Sequence, residues 1–114
     1  MELVDLEREL FKKDKWLFAK LTEQKSLIEK SAQAEETYRV ALATKMLTLK
    51  TEGCQATLIP DLARGDKAVA KFKLERDIAD GIADACKQSI YAIQTSISGL
   101  QSLISTRKAE MTLK

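Results

Sequence analysis

The carboxylates Asp77, Asp80 and Asp84 form the first group of side chains whose type and spacing could carry chemistry. They stand three and four residues apart, so a helix would present all three on one face, as some metal-binding helices do. The chain contains no histidine, the commonest transition-metal ligand. Without histidine or an acidic helix opposite, the pattern is more typical of a solvated acidic stripe. We therefore predict no metal site and no cofactor.

The cysteines Cys54 and Cys86 form the second group. A thiol needs a neighbouring base to act as a nucleophile at neutral pH, and the usual base, histidine, is missing. Cys86 falls at an apolar position of a helical repeat, where a buried structural thiol is expected. The two cysteines are far apart and indicate no disulfide framework, which favours a reducing, cytoplasmic location. We predict that the protein is not an enzyme.

A basic cluster forms the third group. It comprises Arg64, Lys67, Lys71, Lys73 and Arg76. Basic residues three and four apart on one helix face can contact nucleic-acid phosphates. Acidic residues are interspersed, however, no aromatic residue is spaced to stack on bases, and the net charge is only +2. The pattern favours a solvated face with local ion pairs, and nucleic-acid contact remains the alternative.

The elements that must position these groups are helical. The composition is 45% hydrophobic and 32% charged but only 5% aromatic, with one proline, which suits an α-helical chain better than a β-rich one. Residues 2–52 contain neither proline nor glycine. Within them leucines, among them Leu21, and Ile28 recur at steps of three, four and seven residues. This spacing predicts an amphipathic first helix over 2–52, and Gly53 would follow its end in a left-handed conformation.

The second half of the chain carries a 3-4 spacing of apolar residues, here called the seam, interrupted only by two arginines. It comprises Val69, Phe72, Arg76, Ala79, Ala83, Cys86, Ile90, Ile93, Ile97, Leu100, Ile104, Arg107 and Met111. The seam predicts a coiled-coil helix over 67–110 whose apolar stripe another helix must cover. The connection, residues 53–66, is short, so the chain is predicted to be all-α, one domain over 1–114, folded as an antiparallel helical hairpin.

The connection itself predicts a short helical turn at the tip of the hairpin. Thr57 would cap this turn, Pro60 would lie in its first turn, and Asp66 would cap the second long helix. The apolar residues expected to fill the tip are Leu58, Ile59 and Leu62.

The connection also sets the expected register of the two long helices. If residue 52 faces residue 66, Arg76 falls opposite Leu42. An arginine in the seam is expected to extend towards solvent or to pair with a facing carboxylate such as Glu35 or Glu36.

An uncharged stretch runs from Gln88 to Thr106. It is too rich in Ser, Gln and Thr to cross a membrane, but small uncharged residues allow helices to approach without burying charge. Opposite this stretch, three aromatic residues lie off the leucine stripe of the first helix. We predict a homo-oligomer, most simply a dimer that forms a four-helix bundle. The predicted interface residues are Phe11, Trp16, Phe18, Tyr91 and Ser98. The alternative is that the aromatics close the hairpin's own core and that the uncharged face is solvated.

Several segments between residues 36 and 104 form recognisable motifs. They include EG at 52–53, ATL at 56–58, DLARGD at 61–66, VAKFKLERDIA at 69–79 and LQSLI at 100–104. In these motifs the chain resembles a group of short proteins of tailed bacteriophages and prophages. The first half of the first helix is unmatched. The resemblance implies a gene among phage early genes, near replication and recombination functions, and a bacterial host cytoplasm. It supplies no catalytic residues.

Three functions follow as hypotheses. The first is a phage interaction protein that binds an unidentified protein of DNA replication, recombination or host defence. The second is a nucleic-acid-binding accessory protein that uses the basic cluster. The third is a structural or scaffolding component of a virion, which would form large assemblies.

Overall fold

The computed structural model describes residues 2–113, which fold into three helices. Helix α1 spans Leu3–Thr51, α2 spans Ile59–Gly65 and α3 spans Lys67–Leu113. No β-strand occurs among the described residues, and α1 contacts α3 in antiparallel orientation. The all-α class and the pair of long helices with a short helix between them are therefore confirmed. Residues 1 and 114, the ends of the predicted domain, lie outside the described part of the chain.

Two compact units divide the chain. The terminal unit contains the chain up to Lys25 and again from Asp84 onward, and the connection unit spans Ser26–Ala83. Each unit holds a segment of α1 packed against a segment of α3. The expectation of a single domain stays a prediction.

Helix α1 ends in a Schellman motif. Gly53 has a φ of 85°, a conformation that favours glycine because it has no Cβ. Its amide donates to the Lys50 carbonyl at 3.1 Å, and the Cys54 amide donates to the Leu49 carbonyl at 3.0 Å, the two bonds that define this motif. Cys54 also packs against the cluster that contains Leu49, so one apolar contact accompanies the turn.

Asp66 begins helix α3. Its Oδ2 accepts hydrogen bonds from the amides of Ala68 at 3.1 Å and Val69 at 3.2 Å, as the residue before a helix often does. Its Oδ1 lies 3.5 Å from Lys45 Nζ on α1. The Val69 hydrogen bond and then the Lys45 charge hold the pKa of Asp66 below its ordinary value. The predicted cap is thus present and also ties α3 to α1.

Helix α2 begins differently from the prediction. Leu58, not Thr57, precedes its first residue and makes no side-chain cap, while Pro60 does occupy the first turn. The Leu62 amide donates to the Leu58 carbonyl at 3.0 Å. The helix therefore begins through backbone bonding and the preset φ of proline without help from the Thr57 hydroxyl.

The core of the connection unit forms where α2 lies against the end of α1. Ile59 and Ala63 are buried against Leu49, and Ala63 has no exposed surface. Leu58 and Leu62, expected in the tip core, are instead about half exposed, at 51% and 50%. Residues 59 and 63 are one turn apart and face α1, and this orientation turns the pair at 58 and 62 away.

In the connection unit, the register of α1 against α3 differs from the prediction by one heptad. Asp66 pairs with Lys45, whereas the prediction placed it opposite residue 52. Arg76 meets Glu35, seven residues before the predicted Leu42. The cause is α2, which lies beside the last turns of α1. The chain thus already turns back along α1 in α2. Helix α3 therefore begins beside a part of α1 that lies earlier in the sequence than predicted.

The seam is buried or half-buried along most of α3. In the connection unit Val69 is 3% exposed, and in the terminal unit the isoleucines at 90, 93 and 97 are 9% exposed or less. Seam residues Arg107 and Met111 are exposed. They lie beside the first turn of α1, where too little helix remains to cover them.

The covering stripe on α1 is only partly the one expected from the leucine pattern. Leu21 is 42% exposed and Ile28 is 56% exposed, while Gln24 and Ser31 are half-buried. A supercoiled helix keeps one face inward through a strict seven-residue repeat. The repeat that includes Gln24 and Ser31 holds this inward face, so Leu21 and Ile28 fall on its flank.

Candidate interaction surfaces

Arg76 occupies its seam position by making three kinds of contact within the connection unit. Its Nη1 lies 3.4 Å from Glu35 Oε2, its Nε and Nη2 donate to Asp77 Oδ1 at 3.1 Å and 2.9 Å, and its guanidinium lies 4.7 Å from the centre of the Tyr38 ring. The Asp77 hydrogen bonds, followed by the charges of Asp77 and Glu35, raise the pKa of Arg76. These contacts give Arg76 a structural role, and its pairing with Glu35 on α1 favours this register.

Two of the three carboxylates of the acidic stripe make structural contacts. Asp77 accepts from Arg76, and Asp80 accepts a hydrogen bond from the Ser31 hydroxyl on α1. Asp84 belongs to the terminal unit. Within residues 2–113, no three His, Cys, Asp or Glu side chains are grouped so that they could hold a metal ion.

The basic cluster does not form one continuous face. Arg64 belongs to α2 and pairs with Asp61 at 3.5 Å, whereas the other four residues belong to α3. Arg76 is held by Glu35 and Asp77. The remaining residues, Lys67, Lys71 and Lys73, are exposed. On α3, Lys71 and Lys73 are two residues apart and point in different directions.

Both cysteines are free thiols. Cys86 is 5% exposed, and its Sγ lies 3.6 Å from the Lys20 carbonyl oxygen, to which it donates a weak hydrogen bond. Cys54 is half-buried beside Leu49. Both side chains have packing roles, in agreement with the buried thiol expected at Cys86.

The predicted oligomer residues are solvent-exposed in the terminal unit. Phe11, Phe18 and Trp16 are 61%, 73% and 50% exposed, and Tyr91 is 51% exposed. Lysines lie over two of the rings, with Lys15 Nζ 4.7 Å from the Phe11 ring centre and Lys13 Nζ 5.1 Å from the Trp16 ring centre. These aromatics therefore do not close the hairpin's own core.

The structure separates these residues onto two faces of the terminal unit. Trp16 lines a shallow groove of about 270 Å³, here called the Trp16 groove. Its lining residues are Lys13, Trp16, Ser89, Ala92, Ile93 and Ser96. Phe18 is two residues from Trp16 on α1 and therefore points to the opposite flank of this helix. On α3, Tyr91 is two residues from Ser89, and Ser98 is two residues from Ser96. Both side chains therefore point away from the groove.

The second face, here called the aromatic face, contains the remaining predicted residues. Phe11 and Phe18 are seven residues apart on α1, and Tyr91 and Ser98 are seven apart on α3, so each pair shares one side of its helix. Val4 extends the same repeat and is 58% exposed. The prediction missed Val4, although the spacing Val4, Phe11, Phe18 was visible in the sequence.

The connection unit has its own exposed apolar groove, which the sequence reasoning also missed. It has a volume of about 250 Å³ and is lined by Leu27, Lys30, Glu75, Ile78, Ala79 and Ile82. Ile78 and Ile82 are 52% and 50% exposed. Their spacing of four residues, outside the seam, was the available signal.

In the described residues, no helix combines the length and the apolar character needed to span a membrane. The chain matches no protein-family model, and no curated protein and no solved structure matches it.

Proposed function

We propose that this protein is a non-enzymatic interaction protein that acts by binding other protein chains. The observation that carries the proposal is the aromatic face, where two phenylalanines and a tyrosine are each more than half exposed. Exposed apolar patches larger than roughly a few hundred Å² are uncommon on monomeric proteins and often mark an interaction site. Aromatic side chains are also enriched at protein interfaces.

The first partner in this proposal is a second copy of the chain, which would form a four-helix bundle. Each terminal unit offers only two helices, so one side of each helix has no cover. A dimer covers such a side with identical elements and closes by two-fold symmetry.

The second partner is a protein of DNA replication, recombination or host defence in a bacterium. This part of the proposal rests on the resemblance of residues 36–104 to short bacteriophage proteins, and it implies action in the host cytoplasm.

Affinity capture from phage-infected cells tests the proposal of a second partner. The tagged wild-type chain should retain one host or phage protein at a stoichiometric level. Two variants are captured in parallel with the wild type. One carries Leu27→Glu and Ile82→Glu in the connection-unit groove and the other carries Phe18→Glu on the aromatic face, so loss of the retained protein in one of them identifies the surface that binds it. Recovery of the tagged chain alone, at physiological salt, would contradict a stable protein partner.

Nucleic-acid binding through the basic cluster is the competing function. Its three exposed lysines would supply only a few phosphate contacts, and each contact contributes a salt-dependent increment to affinity. We expect no retardation of single- or double-stranded DNA in a gel-shift series that starts at low salt. A shift that weakens steeply with salt and disappears in Lys67→Glu, Lys71→Glu would instead establish the nucleic-acid function.

A further inference from the structure

We propose that a second copy of the chain docks on the aromatic face, with α1 of each copy lying antiparallel on α3 of the other, and that the Trp16 groove stays outside this interface. The inference rests on the proposed function and specifies which surface the dimer uses.

The first argument concerns which side chains of α1 and α3 lie at the same level, that is, at the same position along the axes of the two helices. The Trp16 groove places Trp16 level with Ala92. Because α1 and α3 are antiparallel, Phe11, five residues earlier on α1, lies level with the region of Ser98. Phe18 lies between Trp16 and Lys20, whose carbonyl meets Cys86, and is therefore level with the region of Tyr91.

Complementarity between the two halves of the aromatic face supplies the second argument. The α1 half carries large exposed rings, and the α3 half lies in the stretch from Gln88 to Thr106, which has no charge. A two-fold axis parallel to the helices places α1 of one copy on α3 of the other at an unchanged level. Phe18 of each copy then contacts the other copy near Tyr91, and Phe11 contacts it near Ser98. Both halves of the aromatic face are therefore covered at once.

The acidic charge next to the rings fits the same arrangement. Asp14 lies between Phe11 and Phe18 on α1, and in the dimer it would lie level with Gln94 of the other copy. Gln94 is an exposed side-chain amide that can donate a hydrogen bond to a carboxylate. No acidic residue of α3 opposes Asp14 at this level, because the uncharged stretch contains none.

The available area is just sufficient for a specific dimer. From Val4 to Leu21 the face extends roughly 27 Å, at about 1.5 Å per residue. With two helices each about 10 Å wide, it offers on the order of 540 Å² per copy. The total, about 1,100 Å², just exceeds the roughly 1,000 Å² expected of a specific interface. Interfaces of this size are at the low end of the range for specific complexes, so self-association is to be measured up to high micromolar concentration.

Sedimentation equilibrium of the wild-type chain and two matched variants tests the inference. Phe18→Glu and Trp16→Glu introduce the same charge on α1 at exposed aromatic positions two residues apart. We expect the wild type to approach twice the 12.8 kDa of one chain at high micromolar concentration. Phe18→Glu should weaken the dimer by a factor of about 100, since two copies of the change enter each dimer, and Trp16→Glu should leave it within about threefold.

Circular dichroism controls for folding, and Tyr91→Glu and Ala92→Glu on α3 replace either variant that loses helix. A monomeric wild type would overturn the dimer itself. A dimeric wild type that dissociates with Trp16→Glu or Ala92→Glu, or that resists Phe18→Glu and Tyr91→Glu, would overturn only the assignment to the aromatic face.

A mixing experiment tests the antiparallel arrangement. Phe11→Lys and Ser98→Glu should each weaken self-association, and an equimolar mixture should form a heterodimer that exceeds either homodimer at the same total concentration. The new ion pair in the mixture can form only between chains, because neither chain carries both changes. A mixture that associates no better than its components would contradict α1 lying on the partner's α3.

Discussion

We expect Ile97→Asp to unfold the terminal unit. Ile97 is 9% exposed in the seam, and the change removes a buried apolar side chain and places an unpaired carboxylate there. Such a substitution costs about 4 kcal/mol or more, a large share of the roughly 5–15 kcal/mol that stabilises a small domain. Thermal unfolding followed by circular dichroism at 222 nm would measure the loss.

Ser102→Asp is the matched control for this change. Ser102 lies on the same helix but is exposed, so the same charged side chain stays in water. We expect its free energy of unfolding to remain within about 0.5 kcal/mol of the wild type. Equal destabilisation by both variants would show that helix α3 does not bury Ile97 as described.

The second large effect is expected for Leu49→Ala in the connection unit. Leu49 is 8% exposed and packs against Ile59 and Ala63. Truncation leaves a cavity that neighbours fill only in part, which costs about 2–5 kcal/mol for a buried leucine. Urea unfolding followed by circular dichroism should therefore show a lower midpoint.

Leu47→Ala is the control for Leu49→Ala, because it is the same substitution on the same helix two residues earlier. Leu47 is 66% exposed, so its truncation removes little buried surface and should change the free energy of unfolding by no more than about 0.5 kcal/mol. A larger loss at position 47 than at position 49 would place the opposite side of α1 against α2.

The burial of Ile97 and the exposure of Leu21 and Ile28 show how far helical periodicity predicts burial. The seam on α3 identified Ile97 as buried because a 3-4 spacing holds one side of a coiled-coil helix inward. On α1 the leucine count misled the prediction at Leu21 and Ile28, since the half-buried Gln24 and Ser31 keep the inward seven-residue repeat instead. Composition alone therefore did not identify the covered stripe where that stripe is polar.

The candidate interface was predicted in part. The sequence identified exposed aromatics and an uncharged stretch, because charge and aromatic content are local properties. It grouped Trp16 with Phe18, although residues two apart on a helix point to opposite flanks. Only the position of α3 beside α1 shows that Trp16 lines a groove with Ser89 and Ala92 and that Phe18 faces away from it.

The sequence by itself determined the three helices and the turn between α1 and α2. Unbroken spacing, Gly53 after α1 and Asp66 before α3 act within a few residues, so their effects are readable without the rest of the fold. The tertiary structure alone decided the register. Burial of Ile59 and Ala63 against Leu49 lays α2 alongside α1, and this packing shifts the pairings of α3 with α1 in the connection unit by one heptad. The register depends on contacts between segments that are distant in the sequence. The apolar repeat of one helix fits the other helix equally well after a shift of one heptad, so the repeat alone cannot select one register.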